Sequence, residues 1–141
     1  MGGTKAVYYR DDHGSEPVRE FTDGLSPKRA AKIDTYIEEY LSGQEASAPP
    51  PEFPITSQIE DELRELRVRF ANTRYRILYQ RSDDLIVLLH AFEKRTGAVP
   101  PAEKELAQAR MAGFKRRMNR KPRTPPRAAG HDAPWRRRIR D

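Results

Sequence analysis

At 141 residues with no cysteine, the chain has the length of one domain, and both a disulfide framework and a thiolate metal site are excluded. Its net charge of +6 points toward nucleic acid, but the cations are unevenly placed: from Lys115 onward 11 lysines and arginines face two acids, whereas the first 114 residues carry 16 against 19. The body is therefore mildly acidic, and a phosphate-binding site within it has to be a local patch rather than a domain-wide field.

In chain order, Lys5-Ala6-Val7-Tyr8-Tyr9-Arg10 is rich in β-formers and ends at the turn-prone Asp11-Asp12-His13-Gly14, which predicts a first strand. Ser15, with Pro17 behind it, predicts a short helix through Val18 and Phe21 to Gly24, and Ser26-Pro27 opens a longer one. On that longer helix Ala30, Ile33, Ile37, Tyr40 and Leu41 share a face, and Ser42-Gly43 stops it. Ala48-Pro49-Pro50-Pro51 fits neither a helix interior nor a ladder, so Gln44 to Pro54 is expected to be a surface loop.

Beyond the loop the period changes. Leu66-Arg67-Val68-Arg69-Phe70 alternates apolar and cationic residues, and Tyr75-Arg76-Ile77-Leu78-Tyr79 continues the alternation after a turn at Ala71-Asn72-Thr73, which predicts a β-hairpin. Ser82-Asp83-Asp84 turns into a third strand, Leu85 to Phe92, which is apolar on both faces and so expected at the centre of the sheet. Pro100-Pro101 opens a last helix with Leu106, Ala107, Met111, Phe114 and Met118 as inner positions. From Asn119 onward Pro, Arg, Gly and Ala dominate, a composition that buries too little surface to offset ordering entropy. The expectation is a domain over 1–118 followed by a flexible basic tail over 119–141. The order β-α-α-β-β-β-α predicts an α+β fold, with helices packed on one face of a small antiparallel sheet. The longest apolar run, Leu85 to Leu89, falls far short of the ~20 residues a bilayer helix needs, and the start carries no apolar signal region. A cytoplasmic protein without membrane insertion is expected.

Alternation also assigns faces to the hairpin. Leu66, Val68 and Phe70 point to the core, and pairing them with Tyr75, Ile77 and Tyr79 gathers Arg67, Arg69, Arg74 and Arg76 on the other side, whether the turn holds two residues or four. Like charges at cross-strand distance repel unless an anion sits among them, which gives the cluster a reason to bind phosphate. The alternative is a solvated face whose arginines pair with Glu65 and Glu93. Lys94 and Arg95 follow the third strand and bring further positive charge to the same edge.

Four blocks, Leu66–Phe70, Tyr75–Tyr79, Leu88-Leu89-His90-Ala91-Phe92-Glu93-Lys94-Arg95-Thr96 and Pro100-Pro101-Ala102-Glu103, resemble in order and spacing the phage-derived HigB branch of the RelE/ParE toxins. Glu16-Pro17-Val18-Arg19-Glu20-Phe21 and Leu25-Ser26-Pro27-Lys28 resemble the same family's first helical segment, so the likeness covers about the first four-fifths of the chain. The resemblance implies a type II toxin acting as an mRNA endoribonuclease, on or off the ribosome, in which the RNA 2′-hydroxyl attacks the adjacent phosphate with neither metal nor cofactor. It also implies a small helix-turn-helix antitoxin as partner. The scattered His13, His90 and His131 show no metal-ligand spacing.

By the resemblance, Arg67, Arg76 and Lys94 take the catalytic places, stabilising charge on the phosphorane, with Arg95 beside Lys94 in the basic pair; Arg95 and, from the cross-strand cluster, Arg69 and Arg74 are expected to hold RNA. The chain departs from relatives that use a tyrosine or histidine near the end of the domain, leaving Lys94, Tyr75, Glu65 and His90 as candidates for proton transfer. Alternation places His90 with Ile86 and Leu88, and Tyr75 toward the core, where packing roles are expected. It also makes Arg76 an exposed residue whose removal silences cleavage without unfolding the domain. Two other functions stand beside RNA cleavage: a ParE-type toxin that cuts no RNA, which would keep the fold and partner but need no arginine cluster, and a simple nucleic-acid-binding module in which the arginines and the tail grip backbone. For the tail, Arg116-Arg117, Arg120-Lys121 and Trp135-Arg136-Arg137-Arg138 supply either long-range attraction to RNA or mere solvation.

Overall fold

The alternating segments pair as strands, and the structure, a computed structural model, describes residues 3–45, 47–94, 97–120 and 125–130. The elements are β1 (Lys5–Tyr8), α1 (Pro17–Asp23), α2 (Pro27–Tyr40), β2 (Thr56–Glu60), β3 (Leu63–Phe70), β4 (Thr73–Ser82), β5 (Leu85–Glu93) and α3 (Pro101–Met118). They form one five-stranded sheet in the order β1-β5-β4-β3-β2, so β5 lies between β1 and β4. The chain is an α+β protein.

Each helix starts at a proline, whose fixed φ suits the first turn and whose missing N–H costs nothing there. Ser26 caps α2, its hydroxyl accepting from the Arg29 N–H at 3.4 Å. Ser15 does not cap α1; Glu16 stands at that position, and the Ser15 N–H donates to the Asp11 carboxylate instead.

Two details of the architecture differ from the sequence-based expectation. The sheet is mixed, since β1 runs parallel to β5 while the other neighbours are antiparallel. The helices also cover both faces. Val18 of α1 and Ile33 and Ile37 of α2 pack with Leu66, Val68, Tyr75, Ile77 and Leu88 on one side. Ala107, Met111 and Phe114 of α3 pack with Val7, Leu63, Leu78, Val87 and Leu89 on the other. β5 is apolar on both sides, and burying both requires a helix on each. Leu106, expected to be inner, is 38% exposed. The buried stripe of α3 runs through 107, 111 and 114, and at 100° per residue position 106 falls on its flank.

β2 was not foreseen. Its sequence TSQIE offers little apolar alternation, and it holds the edge through its ladder with β3. The opposite edge is closed by a segment expected to be tail. Val7 bridges Ala128, the Tyr8 N–H donates to the Arg127 carbonyl at 2.9 Å, and the Ala129 N–H donates to the Ala6 carbonyl at 2.9 Å. Ala129 is buried with the α1/α2 core, and Arg127 Nε lies 3.1 Å from the buried Glu16 carboxylate. Ordered structure therefore continues past residue 118, through residues 125–130; the rest of the proposed tail, including Trp135, lies outside the described residues. Among the described residues no helix is long and apolar enough to cross a membrane.

Candidate nucleic-acid interface

The hairpin turn has two residues, Ala71 and Asn72, between the paired Phe70 and Thr73. That register sets Arg67 opposite Arg76 and Arg69 opposite Arg74, and all four arginines share the face toward α3, opposite the Leu66–Val68 side. β5 extends the pattern into rows. Glu65, Leu78 and His90 align across the three strands, then Arg67, Arg76 and Phe92. Lys94 continues alongside Arg69 and Arg74, its N–H donating to the Arg74 carbonyl at 2.8 Å. α3 packs over the first row and the apolar residues behind it, Phe92 of the second row packs against the same cluster, and Arg67, Arg69, Arg74 and Lys94 keep part of their surface open to solvent.

The face expected for His90 differs here because of a bulge. Leu78 pairs with His90 but Tyr79 pairs with Leu88, so Leu89 is the extra residue and the alternation of β5 slips by one. His90 thus turns to the α3 face rather than joining Ile86 and Leu88. Its Nε2 lies 2.5 Å from Glu103 Oε1, and Arg110 reaches its Nδ1 at 3.2 Å while also donating to the Leu89 carbonyl at 2.9 Å. A guanidinium can only donate, so Nδ1 accepts and the proton sits on Nε2, facing Glu103. Both ring nitrogens are occupied in fastening α3 to β5.

Burial sorts the arginines. Arg69 is exposed, Arg67, Arg74 and Lys94 are half-buried, and Arg76 is only 3% exposed, contrary to the outer position expected of it. Arg76 lies beside Glu65, itself buried, with Nε 3.0 Å from Oε1. This is an ion pair without an aligned hydrogen bond, since Oε1 accepts none. The other carboxylate oxygen takes Arg67 Nη1 at 3.1 Å and the Ser57 hydroxyl at 2.7 Å. The anion that the cluster requires is therefore partly internal. Burial pushes the Arg76 guanidinium below its ordinary pKa, Glu65 opposes that shift, and Arg67 and Arg74 add to it. The remaining positive charge lies on Arg67, Arg69, Arg74 and Lys94, at the surface side of the pair.

Of the four candidates for proton transfer, Tyr75 is on the wrong side of the sheet. Its hydroxyl accepts from Arg29 at 2.9 Å and its ring meets Phe21 edge-on at 5.9 Å, in the α1/α2 core. Glu65 is buried between arginines and His90 is bound at both nitrogens, whereas Lys94 is half-buried beside the basic rows. Arg95 lies outside the described residues. Among the described residues no three His, Cys, Asp or Glu side chains are grouped to hold a metal ion.

Two aromatic residues of this surface escaped the sequence argument. Phe92 ends the Arg67–Arg76 row and stacks on His90 at 5.4 Å, and only the bulge brings it to this face. Phe53, in the proline-rich loop, has its ring centroid 4.9 Å from the Arg67 guanidinium. The available signal was a large apolar residue within a segment that cannot enter the core.

A family model described as Phage derived protein Gp49-like (DUF891) matches residues 20–112, from within α1 to within α3. No curated protein matches the chain. The matched span covers well over half of the chain and includes all of the basic rows, and the chain belongs to this phage-derived Gp49-like family of RelE/ParE-like toxins.

Proposed function

We propose that this protein is the HigB-like toxin of a type II pair and that it cleaves mRNA, in the cytoplasm and under the control of a small helix-turn-helix antitoxin. The observation that carries this reading is the half-face beyond α3, where Arg67, Arg69, Arg74 and Lys94 surround the buried Arg76–Glu65 pair. Fixed donors on a surface of this kind can take the non-bridging oxygens of a phosphodiester bidentately and stabilise the extra charge of a pentacoordinate phosphorane. The 2′-oxygen forms its bond to phosphorus as the bond to the 5′-oxygen breaks. Its proton leaves to solvent and the 5′-oxygen takes one up, giving a 2′,3′-cyclic phosphate and a 5′-hydroxyl.

In this scheme Arg67 and Lys94 touch the reacting phosphate, and Arg69 and Arg74 hold the neighbouring backbone, with Arg95 assigned to them by sequence alone. Arg76, too buried to reach RNA, is a positioning residue: it fixes Glu65, which in turn aims Arg67. The test is cleavage of a single-stranded RNA by the full chain in EDTA, with and without ribosomes. Arg67→Ala and Lys94→Gln are expected to lower the rate about 100- to 1,000-fold, with little change in thermal midpoint, and one 2′-deoxy substitution at the cut should abolish cleavage. Intact RNA under all these conditions overturns the reading. A binding-only module is the second reading, favoured by the engagement of both His90 nitrogens and by the sharing of the Glu65 carboxylate between Arg67 and Arg76.

A further inference from the structure

We infer that Phe53 stacks on an unpaired nucleobase next to the phosphate held by the arginine rows, so that the surface selects single-stranded over duplex RNA. The inference rests on the proposed RNA site and adds to it a residue that recognises bases rather than backbone. Among the described residues Phe53 and Leu106 are the exposed large hydrophobics, and Phe53 is the more exposed at 69%. A lone exposed apolar residue is ordinary on a protein surface. Phe53 differs in how it is held and in what lies against it.

The turn that carries it is fastened at several points. The Ile55 N–H donates to the Glu52 carbonyl at 3.0 Å, the Thr56 hydroxyl donates to the Pro51 carbonyl, and the Arg67 N–H donates to the Ile55 carbonyl at 2.8 Å. Pro49, Pro50, Pro51 and Pro54 further restrict the backbone around it. The ring is thus presented by a stiff loop with little left to order on binding, which favours recognition.

Against the ring lies the Arg67 guanidinium, which is anchored to Glu65 at 3.1 Å. A cation over one side of a phenyl ring is a favourable contact in itself. It also couples the ring to the phosphate site, since the same guanidinium belongs to the basic rows. A nucleotide whose phosphate meets Arg67 and Arg69 therefore has its base within reach of an aromatic surface, the combination of charged groove and stacking ring by which single strands are gripped. In a duplex the bases are already stacked on one another and offer no face to the ring.

The test measures affinity of the full chain for a 2′-deoxy-blocked, single-stranded oligonucleotide and for the corresponding duplex. Phe53→Ala is expected to weaken the single strand roughly 5- to 150-fold and to leave duplex binding unchanged. Phe53→Trp should retain affinity, with its indole fluorescence quenched on binding, while Phe53→Leu, apolar without a π-face, should behave like alanine. A single abasic position should weaken the wild type by the same factor and cause no further loss in Phe53→Ala, which identifies the stacked base. Affinity for the single strand unchanged in Phe53→Ala, or fully retained by Phe53→Leu, overturns the inference. If RNA binds with this dependence but is never cut, the cleavage reading fails and the stacking role stands. If the wild type binds no RNA, both fail.

Discussion

The two faces of this sheet are built from the same strands and do opposite things. Under α1 and α2 the surface is apolar, with Leu66, Val68, Tyr75, Ile77 and Leu88 meeting Val18, Ile33 and Ile37. Under α3 it is apolar only where the helix crosses, and the uncovered remainder carries the arginine rows around one buried carboxylate. The contrast shows how a short chain can hold a dense cationic surface without a basic body. Both faces supply packing free energy, one along its whole length and the other where α3 packs, and the rest of that second face is released from it. What joins them is Arg76, a cation placed by strand parity on the functional face but buried like a core residue.

The largest effect is therefore expected of Arg76→Ala. If Arg76 belonged to the open surface, its loss would change stability by no more than ~0.5 kcal/mol. Buried beside Glu65, it leaves that carboxylate with Arg67 and Ser57 but without the cation at its other oxygen, and the expected cost is about 3 kcal/mol, read as a fall in the urea midpoint. Arg69→Ala on the exposed end of the same rows should stay within ~0.5 kcal/mol of wild type. An Arg76→Ala protein as stable as the wild type would place Arg76 with the surface residues and return it to the list of groups able to touch RNA.

A smaller effect is expected at the β1 edge, where residues 125–130 complete the packed side. A chain ending at Met118 loses two inter-strand hydrogen bonds, the buried Ala129 and the Arg127 contact with Glu16. At about 1 kcal/mol for each hydrogen bond, with the apolar burial in addition, the cost is about 2–3 kcal/mol relative to a chain ending at Gly130. Chemical denaturation of the two truncations checks this. Equal midpoints would make the segment a passenger, as composition alone had suggested, and would put the edge of the domain at residue 118.

How far these features could be read from sequence depends on the range of the interaction that determines them. Strand parity and helical spacing are local, so the arginines on one side of the hairpin, the stripe of α2 and the two-sided β5 were all visible in the order of residues. The β5 bulge is not local. Nothing around Leu89 announces it, and it arises from pairing with β4, yet it decides that His90 and Phe92 face the arginines. Likewise, parity puts Glu65 and Arg76 on one face but cannot say that neighbours will close over them. β2 has almost no apolar signal because an edge strand can be held by its ladder alone, and residues 125–130 look disordered by composition because their partner is a strand about 120 positions earlier. The arginines were thus legible as a cluster, and their division into buried support and open surface was not.

The smallest expected effect tests the turn that sets the two faces in register. Ala71 has φ 54, in the left-handed region where a Cβ is strained, and Thr73 pairs with Phe70 directly across the turn. Ala71→Gly relieves that strain, at ~1–2 kcal/mol for an L-residue, but gives the unfolded chain more freedom, which takes back ~0.5–1 kcal/mol. The net expectation is a gain of about 0.5–1 kcal/mol, seen as a rise of a few degrees in the thermal midpoint. The Ala71 carbonyl, which accepts from Arg69 Nε at 3.3 Å, survives the substitution. Oligonucleotide affinity should therefore stay the same while stability rises, separating the scaffold from the surface it carries. Ala71→Val, β-branched at the same φ, should do the reverse to stability. If Ala71→Gly instead weakens RNA binding, a rigid turn is part of the interface, and the division between packed face and functional face fails at the point where the hairpin joins them.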